Sequence, residues 1–455
     1  MQNIFPMQRG HRRAARPGRT ILLGFLFVIL FGACLLHLPI ATRDHSATAF
    51  VDCLFTATSA TCVTGLVVVD TWQHWTVFGQ IVVLCLIQIG GLGVMSVTAL
   101  VSFFMGRTIT MRERLEMSAS LSLDDISGIV RLMREVMLFT AAIELAGTAL
   151  LSIRFIPQFG IAEGLWKAFF HAVSAFCNAG FDLMGQREAF SNLSDYAQDP
   201  LVNLVIIALI VMGGLGFLVW RDLRANRKWN RLSVHTRLVL IMTALLLIGG
   251  TLVIFILEYS NPQTLGNMPV GHRVLASLFQ ATTCRTAGFN TIDQGALRSG
   301  TAVVCILLMF VGGSSGSTAG GIKTTSVAVL ILAAWSVLRS RRDITVFHRR
   351  IEERLVLQAV ALVMAALSLI LMGSFILYTA DNVSVGRALY ETVSAFSTAG
   401  LSENLTPTLG VVSKCWLILE MYLGRIGILT LGAAVFTRRI FEPKIRYPES
   451  KVIVG

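Results

Sequence analysis

Charge is scarce in this chain. Only 14% of its residues are Asp, Glu, Lys or Arg, 54% are hydrophobic, and the mean hydropathy is +0.70. No soluble core hides that much apolar surface, which excludes a soluble enzyme and leaves a membrane protein. Acidic residues are fewer still, 26 against 38 basic. The net charge of +12 would suit nucleic acid, but the basic residues lie in the wrong places for it. The eight cysteines (Cys34, Cys53, Cys62, Cys85, Cys177, Cys284, Cys305 and Cys415) show no CxxC and no Cys/His metal spacing. Most read as small buried apolar residues; Cys62, Cys177 and Cys284 stand apart because they fall inside the repeated motif below, where the backbone matters more than the thiol. A catalytic triad is also lacking.

Apolar windows are abundant. A helix needs roughly 20 apolar residues to cross the hydrocarbon, and eight windows qualify: Ile21–Leu38, Val77–Phe104, Val136–Phe155, Leu201–Trp220, Leu238–Leu257, Ala302–Leu338, Leu355–Tyr378 and Trp416–Phe436. Residues 1–19, 106–135, 220–237, 338–354 and 437–455 hold 5, 5, 6, 6 and 5 Lys or Arg, which is 27 of the 38. These segments alternate along the chain, so by the positive-inside rule they and both termini are cytoplasmic. The arginines at 9, 12, 13, 16 and 19 imitate a signal peptide, yet no small-x-small cleavage site precedes Pro39, and the first window reads as a retained helix.

One short design occurs four times: Ser59–Gly65, Ser174–Gly180, Thr282–Gly288 and Ser394–Gly400, each with a hydroxyl six residues before a glycine and successive glycines 115, 108 and 112 residues apart. Before each lies an apolar segment too short to span (Ala49–Ser59, Gly164–Ser174, Val274–Thr283, Val385–Ser394), as expected of a re-entrant helix. Behind each, at 25, 33, 24 and 24 residues, comes a second glycine cluster beginning at Gly90, Gly213, Gly312 and Gly424, where small residues let helices approach closely. Non-helical backbone at membrane depth must be buried in protein or line water. The four loops should therefore meet around one axis. A cation leaves water only where a ring of oxygens replaces its hydration shell, and glycine permits backbone that aims carbonyls inward. The candidate filter is Cys62, Val63, Thr64 and Gly65; Cys177, Asn178, Ala179 and Gly180; Arg285, Thr286, Ala287 and Gly288; and Ser397, Thr398, Ala399 and Gly400. Its carbonyls would hold K+ with no carboxylate, and each re-entrant helix would add the negative end of its dipole.

Four outer-helix, pore-loop and inner-helix units, one glycine per filter, a glycine-rich break in the third inner span and an arginine in the fourth closely resemble the Trk/Ktr/HKT superfamily of potassium transporters. The length of 455 and the ending Arg446–Gly455 are most similar to the KtrB-type membrane subunits of bacterial Ktr systems. The resemblance implies K+ as the transported ion, since all four filter positions are glycine, and Na+ as an activator. It also implies a homodimer with one pore per copy, residence in the bacterial cell membrane, and control by a cytoplasmic KtrA-like ring that binds ATP or ADP and, in such systems, cyclic di-AMP. The chain itself should need no cofactor.

The third inner span is interrupted by Gly312, Gly313, Ser314, Ser315, Gly316, Ser317, Thr318, Ala319, Gly320, Gly321, Ile322 and Lys323. A phosphate-binding loop is ruled out because Ile322 separates Gly321 from Lys323 and the flanks are apolar spans. The resemblance implies instead a gate beneath the filter. Arg425 lies in the fourth inner span, where an ionisable group is costly and faces a cavity or a partner. We expect it to act as an electrostatic barrier in contact with the loop. Arg285 would repel an ion on the axis and should point behind its loop. Glu144 and Gln88 also fall within spans, Glu144 more in keeping with a structural pairing than with an ion site. Arg112, Arg114, Arg131 and Arg134, mixed with acids, form an amphipathic stretch that is a solvated face or a docking surface.

The expected architecture is an all-α membrane protein with eight transmembrane helices and four re-entrant pore helices in four pseudo-symmetric units. A tail (1–19) precedes units 20–105, 106–225, 226–340 (with the gating loop 312–326) and 341–440, and a second tail (441–455) follows. Alternatives are a secondary cation transporter with alternating access, a Na+-conducting member of the same superfamily, or a membrane enzyme using Glu144, His171 or Lys323.

Overall fold

The computed structural model describes residues 17–93, 129–341 and 343–427. Most of both tails, residues 106–128 of the amphipathic stretch and the far ends of the windows Val77–Phe104 and Trp416–Phe436 lie outside the described residues. Four times the chain runs through a long outer helix, a short pore helix, a loop and an inner helix. The outer helices are Pro17–Leu36, Ile129–Phe159, Val234–Glu258 and Glu353–Asp381. Their outward faces are largely apolar, with exposed Leu23, Phe27, Leu145, Leu245, Ile248, Leu371 and Phe375 that a hydrocarbon environment accepts, and exposed charges such as Arg131, Arg134, Glu353 and Arg354 lie near the helix starts.

The pore helices are Phe50–Thr61, Ile161–Phe176, Val270–Thr283 and Val385–Ser397. Three of them extend the expected segments by more than one residue: the third starts earlier, through His272–Arg273, which carry no hydropathy signal, the second begins at Ile161 and ends at Phe176, and the fourth runs on to Ser397. The last turns of the first are buried small or hydroxyl side chains, Ala57, Thr58, Ser59, Ala60 and Thr61. That composition lets four helix ends converge. The packing closes a ring: each pore helix lies on its own outer helix, and the inner helices of units one to four lie on the pore helices of units two, three, four and one.

Among the described residues four helices are long and apolar enough to cross a membrane, or five if Pro200–Leu215 and Phe217–Ala225, which meet at 90°, form one span. The window Ala302–Leu338 is two helices, Ser299–Phe310 and Thr324–Leu338, separated by the glycine-rich segment. The other inner helices, Val77–Leu92 and Val411–Ile426, are short over the described residues. The all-α expectation has one exception, a two-strand hairpin of Thr345–Val346 with Arg349–Arg350, turned by Phe347 and His348 at positive φ.

One buried acid anchors the third unit. Glu258 ends its outer helix and accepts hydrogen bonds from Asn261 Nδ2 (2.7 Å), Thr264 Oγ1 (2.6 Å), Arg298 N (2.9 Å) and Thr301 Oγ1 (2.5 Å). It thereby ties that helix to the start of the third inner helix. Bonds to an ionised acceptor are worth ~1.5–3 kcal/mol each. Glu258→Ala should cost ~3 kcal/mol or more, read as earlier thermal unfolding of the detergent-purified protein, and Glu258→Gln should cost less. An unchanged midpoint in both variants would refute the anchoring role.

Candidate functional site

The four loops meet. In each, a residue with left-handed backbone (Val63, Asn178, Thr286, Thr398; φ 50°, 58°, 62°, 54°) precedes by two the motif glycine (Gly65, Gly180, Gly288, Gly400; φ 95°, 70°, 79°, 81°). The turn is fixed by backbone bonds back onto the pore helix: Thr64 N to Ser59 O, Ala179 N to Ser174 O and Ala399 N to Ser394 O, all 2.8 Å. The third loop differs by one residue, with Ala287 N bonded to Thr283 O at 3.0 Å. There the motif hydroxyl of Thr282 is spent on Leu278 O within its helix, and Thr283 makes the bond to Phe289 O. Its counterpart Ser174 bonds Phe181 O (2.8 Å), whereas Ser59 accepts from Gly65 N (3.1 Å).

At the meeting point there is no room for side chains. A β-carbon on Gly65 would lie 2.6 Å from Ala179 O, one on Gly180 2.8 Å from Ala287 O, and one on Gly288 3.1 Å from Ala399 O; one on Gly400 would collide with Thr64 O. Each glycine thus abuts the carbonyl one residue before the glycine of another loop. The set closes on itself, and four equivalent carbonyls are gathered at one level. Above them opens a cavity of about 880 Å³ lined by all four glycines and by Asp70, Asp182, Glu188, Asp195 and Asp293, with Arg187 among them. Sequence reasoning missed this acidic mouth. Its signal was available, since Asp70, Asp182 and Asp293 follow filter glycines by five, two and five residues.

The second glycine register has a matching purpose. β-Carbons on Gly90, Gly213 and Gly424 would strike the carbonyls of Thr61, Phe176 and Phe396, at the ends of three pore helices. Three residues on, Gly93, Gly216 and Gly427 stop the inner helices at φ 84°, 94° and 87°. Over the described residues the first, second and fourth inner helices therefore also stop at this level, whereas the sequence predicts an interruption in the third alone.

In the third unit the break is the segment from Val311 to Lys323. It leaves and returns as a parallel bridge, Val311 with Ile322, and crosses beneath the glycine ring. Ser314 N and Thr318 N donate to Gly214 O (3.1 Å) and Gly213 O (3.3 Å), and Gly316 O accepts from Phe217 N (2.9 Å), so the loop occupies acceptors and donors freed by the second break. Gly320 and Gly321 press on Thr398 and Ser397 of the fourth filter loop. Arg425 reaches the loop: its Nη1 donates to Thr318 O, and its Nη2 to Gly90 O and Gly91 O. Lys323 Nζ turns back to Ala319 O at 2.7 Å.

The remaining charged candidates lie behind the filter. Arg285 is buried and extends to Thr243 Oγ1 on the third outer helix (3.4 Å), away from the other loops. Glu144 accepts from Gln88 Nε2 (3.2 Å) beside Cys177 of the second filter loop. His171 is buried, with Nδ1 on Lys167 O (2.7 Å) and Nε2 against Leu183 N. The enzyme alternative needs these groups together with Lys323 around a cavity; each is committed to its own packing contact. Cys34, Cys85 and Cys415 are exposed, unlike the five buried cysteines.

The close approaches make a direct stability test. Gly213→Ala puts a methyl on Phe176 O, whereas Gly249, in the third outer helix, has nothing within 4 Å of its β position. Gly249→Ala should be neutral or stabilising by up to ~1 kcal/mol through helix propensity, and Gly213→Ala destabilising by ~2 kcal/mol or more, as overpacking is. Equal melting temperatures for the two variants would refute the packing.

The family model described as TrkH, cation transport protein, matches residues 25–444. The chain is 43% identical over 440 residues to the Ktr system potassium uptake protein B of Bacillus subtilis, covering 96% of this chain and 97% of that one. It is 37% identical to the potassium/sodium uptake protein NtpJ of Enterococcus hirae, covering 99% of each. The crystal structure of the potassium transporter TrkH from Vibrio parahaemolyticus superposes with a TM-score of 0.74 at 17% identity, over 93% of this chain and 86% of that one, a likeness of fold. Such matches over nearly the whole length show that the chain belongs to the TrkH family of cation transport proteins, multi-pass membrane transporters rather than enzymes.

Proposed function

We propose that this chain is the K+-translocating membrane subunit of a Ktr-type uptake system. The observation that carries the reading is the closed set of Thr64, Ala179, Ala287 and Ala399 carbonyls, each against the glycine of another loop. A carbonyl ring replaces the hydration shell of a monovalent cation without a fixed charge, so the ion binds and still leaves. The four pore helices end at this ring and add their negative dipole ends, and the acidic mouth raises the local cation concentration. The names of the relatives, potassium uptake and potassium/sodium uptake, support the ion class.

The rest of the reading follows from the units. Eight spans and four re-entrant helices form four pseudo-symmetric units, 20–105, 106–225, 226–340 and 341–440, around one pore. The basic segments and both termini face the cytoplasm of a bacterial cell, which puts the acidic mouth outside. The 312–323 segment is the gate, and Arg425 is the barrier that holds it closed. Two copies associate, and a separate KtrA-like ring binding ATP or ADP, and cyclic di-AMP in some systems, moves the gate; Na+ acts as an activator. One unit ring with one direction of repeat supports a channel-like path over alternating access.

Expression in a bacterium lacking its own K+ uptake, with and without a KtrA-type partner, tests this: growth at limiting K+ should be rescued with the partner, and Gly400→Ala should abolish rescue while the protein still reaches the membrane. Failure of the inserted wild-type pair to rescue would sink the proposal. For the gate, Arg425→Ala should raise initial K+ flux severalfold in proteoliposomes without the partner; flux equal to wild type would assign Arg425 to packing alone.

A further inference from the structure

Of the four residues held in left-handed backbone, three meet the 311–323 segment or the inner-helix glycines through their side chains: Asn178 at Gly213, Thr286 at Gly312 and Thr398 at Gly320. Asn178 alone among them carries an amide. Thr318 of the gating loop touches it: Thr318 Oγ1 lies 3.3 Å from Asn178 Oδ1 in the second filter loop and 3.2 Å from Phe176 O at the end of the pore helix before it. The same residue donates its backbone N–H to Gly213 O and accepts Arg425 on its carbonyl. Thr318 is fully buried, Asn178 is 1% exposed, and Asn178 Nδ2 has no partner among the described residues. Thr318 of the loop is therefore the side-chain hydrogen-bonding neighbour of Asn178 among the described residues, and its other contacts are packing against Gly213 and Gly214. Two residues further on its chain is Gly180, whose backbone touches Gly288.

We propose that Thr318 is a specificity-determining residue: through its hydroxyl it positions Asn178, and with it the second filter loop, so that discrimination between K+ and Na+ depends on where the gating loop sits. This rests on the filter and gate assigned above. Movement of the loop withdraws Thr318 from Asn178 and Phe176 together, which leaves the amide free to turn and the Ala179 carbonyl without that brace. Carbonyl spacing is what a filter uses to distinguish ions of different radius. In the other loops the equivalent residue meets the inner-helix break or the loop only by packing, Thr286 against Gly312 and Thr398 against Gly320. The second loop is the one joined to the gate by a hydrogen bond between side chains.

The test is the ratio of initial K+ to Na+ uptake in proteoliposomes of the full chain. Thr318→Val keeps the shape and removes the hydroxyl, and should lower the ratio roughly fivefold, the worth of one buried hydrogen bond; Thr318→Ser should keep it within about twofold of wild type. Asn178→Val, which copies Val63, should lower the ratio similarly, and the double variant should go no lower than either, as for two ends of one contact. An unchanged ratio in Thr318→Val, or additive losses in the double variant, would overturn the coupling. If Thr318→Val does not fold, Asn178→Val and its ratio decide the matter alone. Arg425→Ala separates this from the gate itself: total flux without a shifted ratio in the Thr318 variants refutes the coupling and spares the gate, whereas an unchanged flux in Arg425→Ala refutes the gate.

Discussion

The structure depends on one steric constraint: four stretches of backbone must approach within contact distance at a single level inside the membrane. Any β-carbon on the ring glycines would meet a carbonyl of another loop or a glycine Cα. The constraint propagates outward. Four helices can end at one point only if their last turns are thin, and the first pore helix narrows through Ala57, Thr58, Ser59, Ala60 and Thr61. The inner helices must then pass those ends closely, which Gly90, Gly213 and Gly424 permit. Two glycine registers 24 to 33 residues apart in sequence thus answer one geometric demand.

Satisfying the ring creates a second problem, the polar backbone left at membrane depth. Inner helices that stop at Gly93, Gly216 and Gly427 release carbonyls with no helical partner. The molecule uses them. Gly213 and Gly214 carbonyls accept from Thr318 and Ser314 of the glycine-rich segment, and Gly90 and Gly91 carbonyls accept the guanidinium of Arg425. No carboxylate pairs with Arg425 among the described contacts; carbonyl dipoles do so. A charge held by neutral dipoles is released at lower cost than one locked in a buried ion pair, where breaking the pair strands the other charge.

How much of this was legible follows from what leaves a mark on composition. The filter loops were visible because left-handed backbone selects glycine at Gly65, Gly180, Gly288 and Gly400, and a recurring glycine amid apolar sequence is conspicuous. The third gap in the inner spans was visible for the same reason. The breaks at Gly93, Gly216 and Gly427 were hidden, since one glycine followed by apolar residues looks like small-residue packing. The contact between Arg425 and the loop was expected, but its acceptors are backbone carbonyls, and every residue has one, so Thr318, Gly90 and Gly91 carried no signal. Likewise the hydroxyl motif placed Thr282 in register with Ser59, Ser174 and Ser394, yet the third pore helix turns one residue later and hands the bond to Thr283. A one-residue shift within a hydroxyl pair leaves the pattern unchanged.

That shift bears on why a fourfold plan is built from one chain. In a ring of identical subunits, a change that lets one loop take a gate bond would be imposed on all four. Here the loops keep a common turn and a common glycine while the residue between them varies: Val63 is apolar, Asn178 engages Thr318, Thr286 and Thr398 pack on the loop. Covalent linkage of the units lets the second carry the contact, the third supply the glycine-rich segment and the fourth supply the arginine that donates to it. The carbonyl ring needs only the backbone, which the four units share, so the side chains two residues before each glycine are free to diverge without disturbing it.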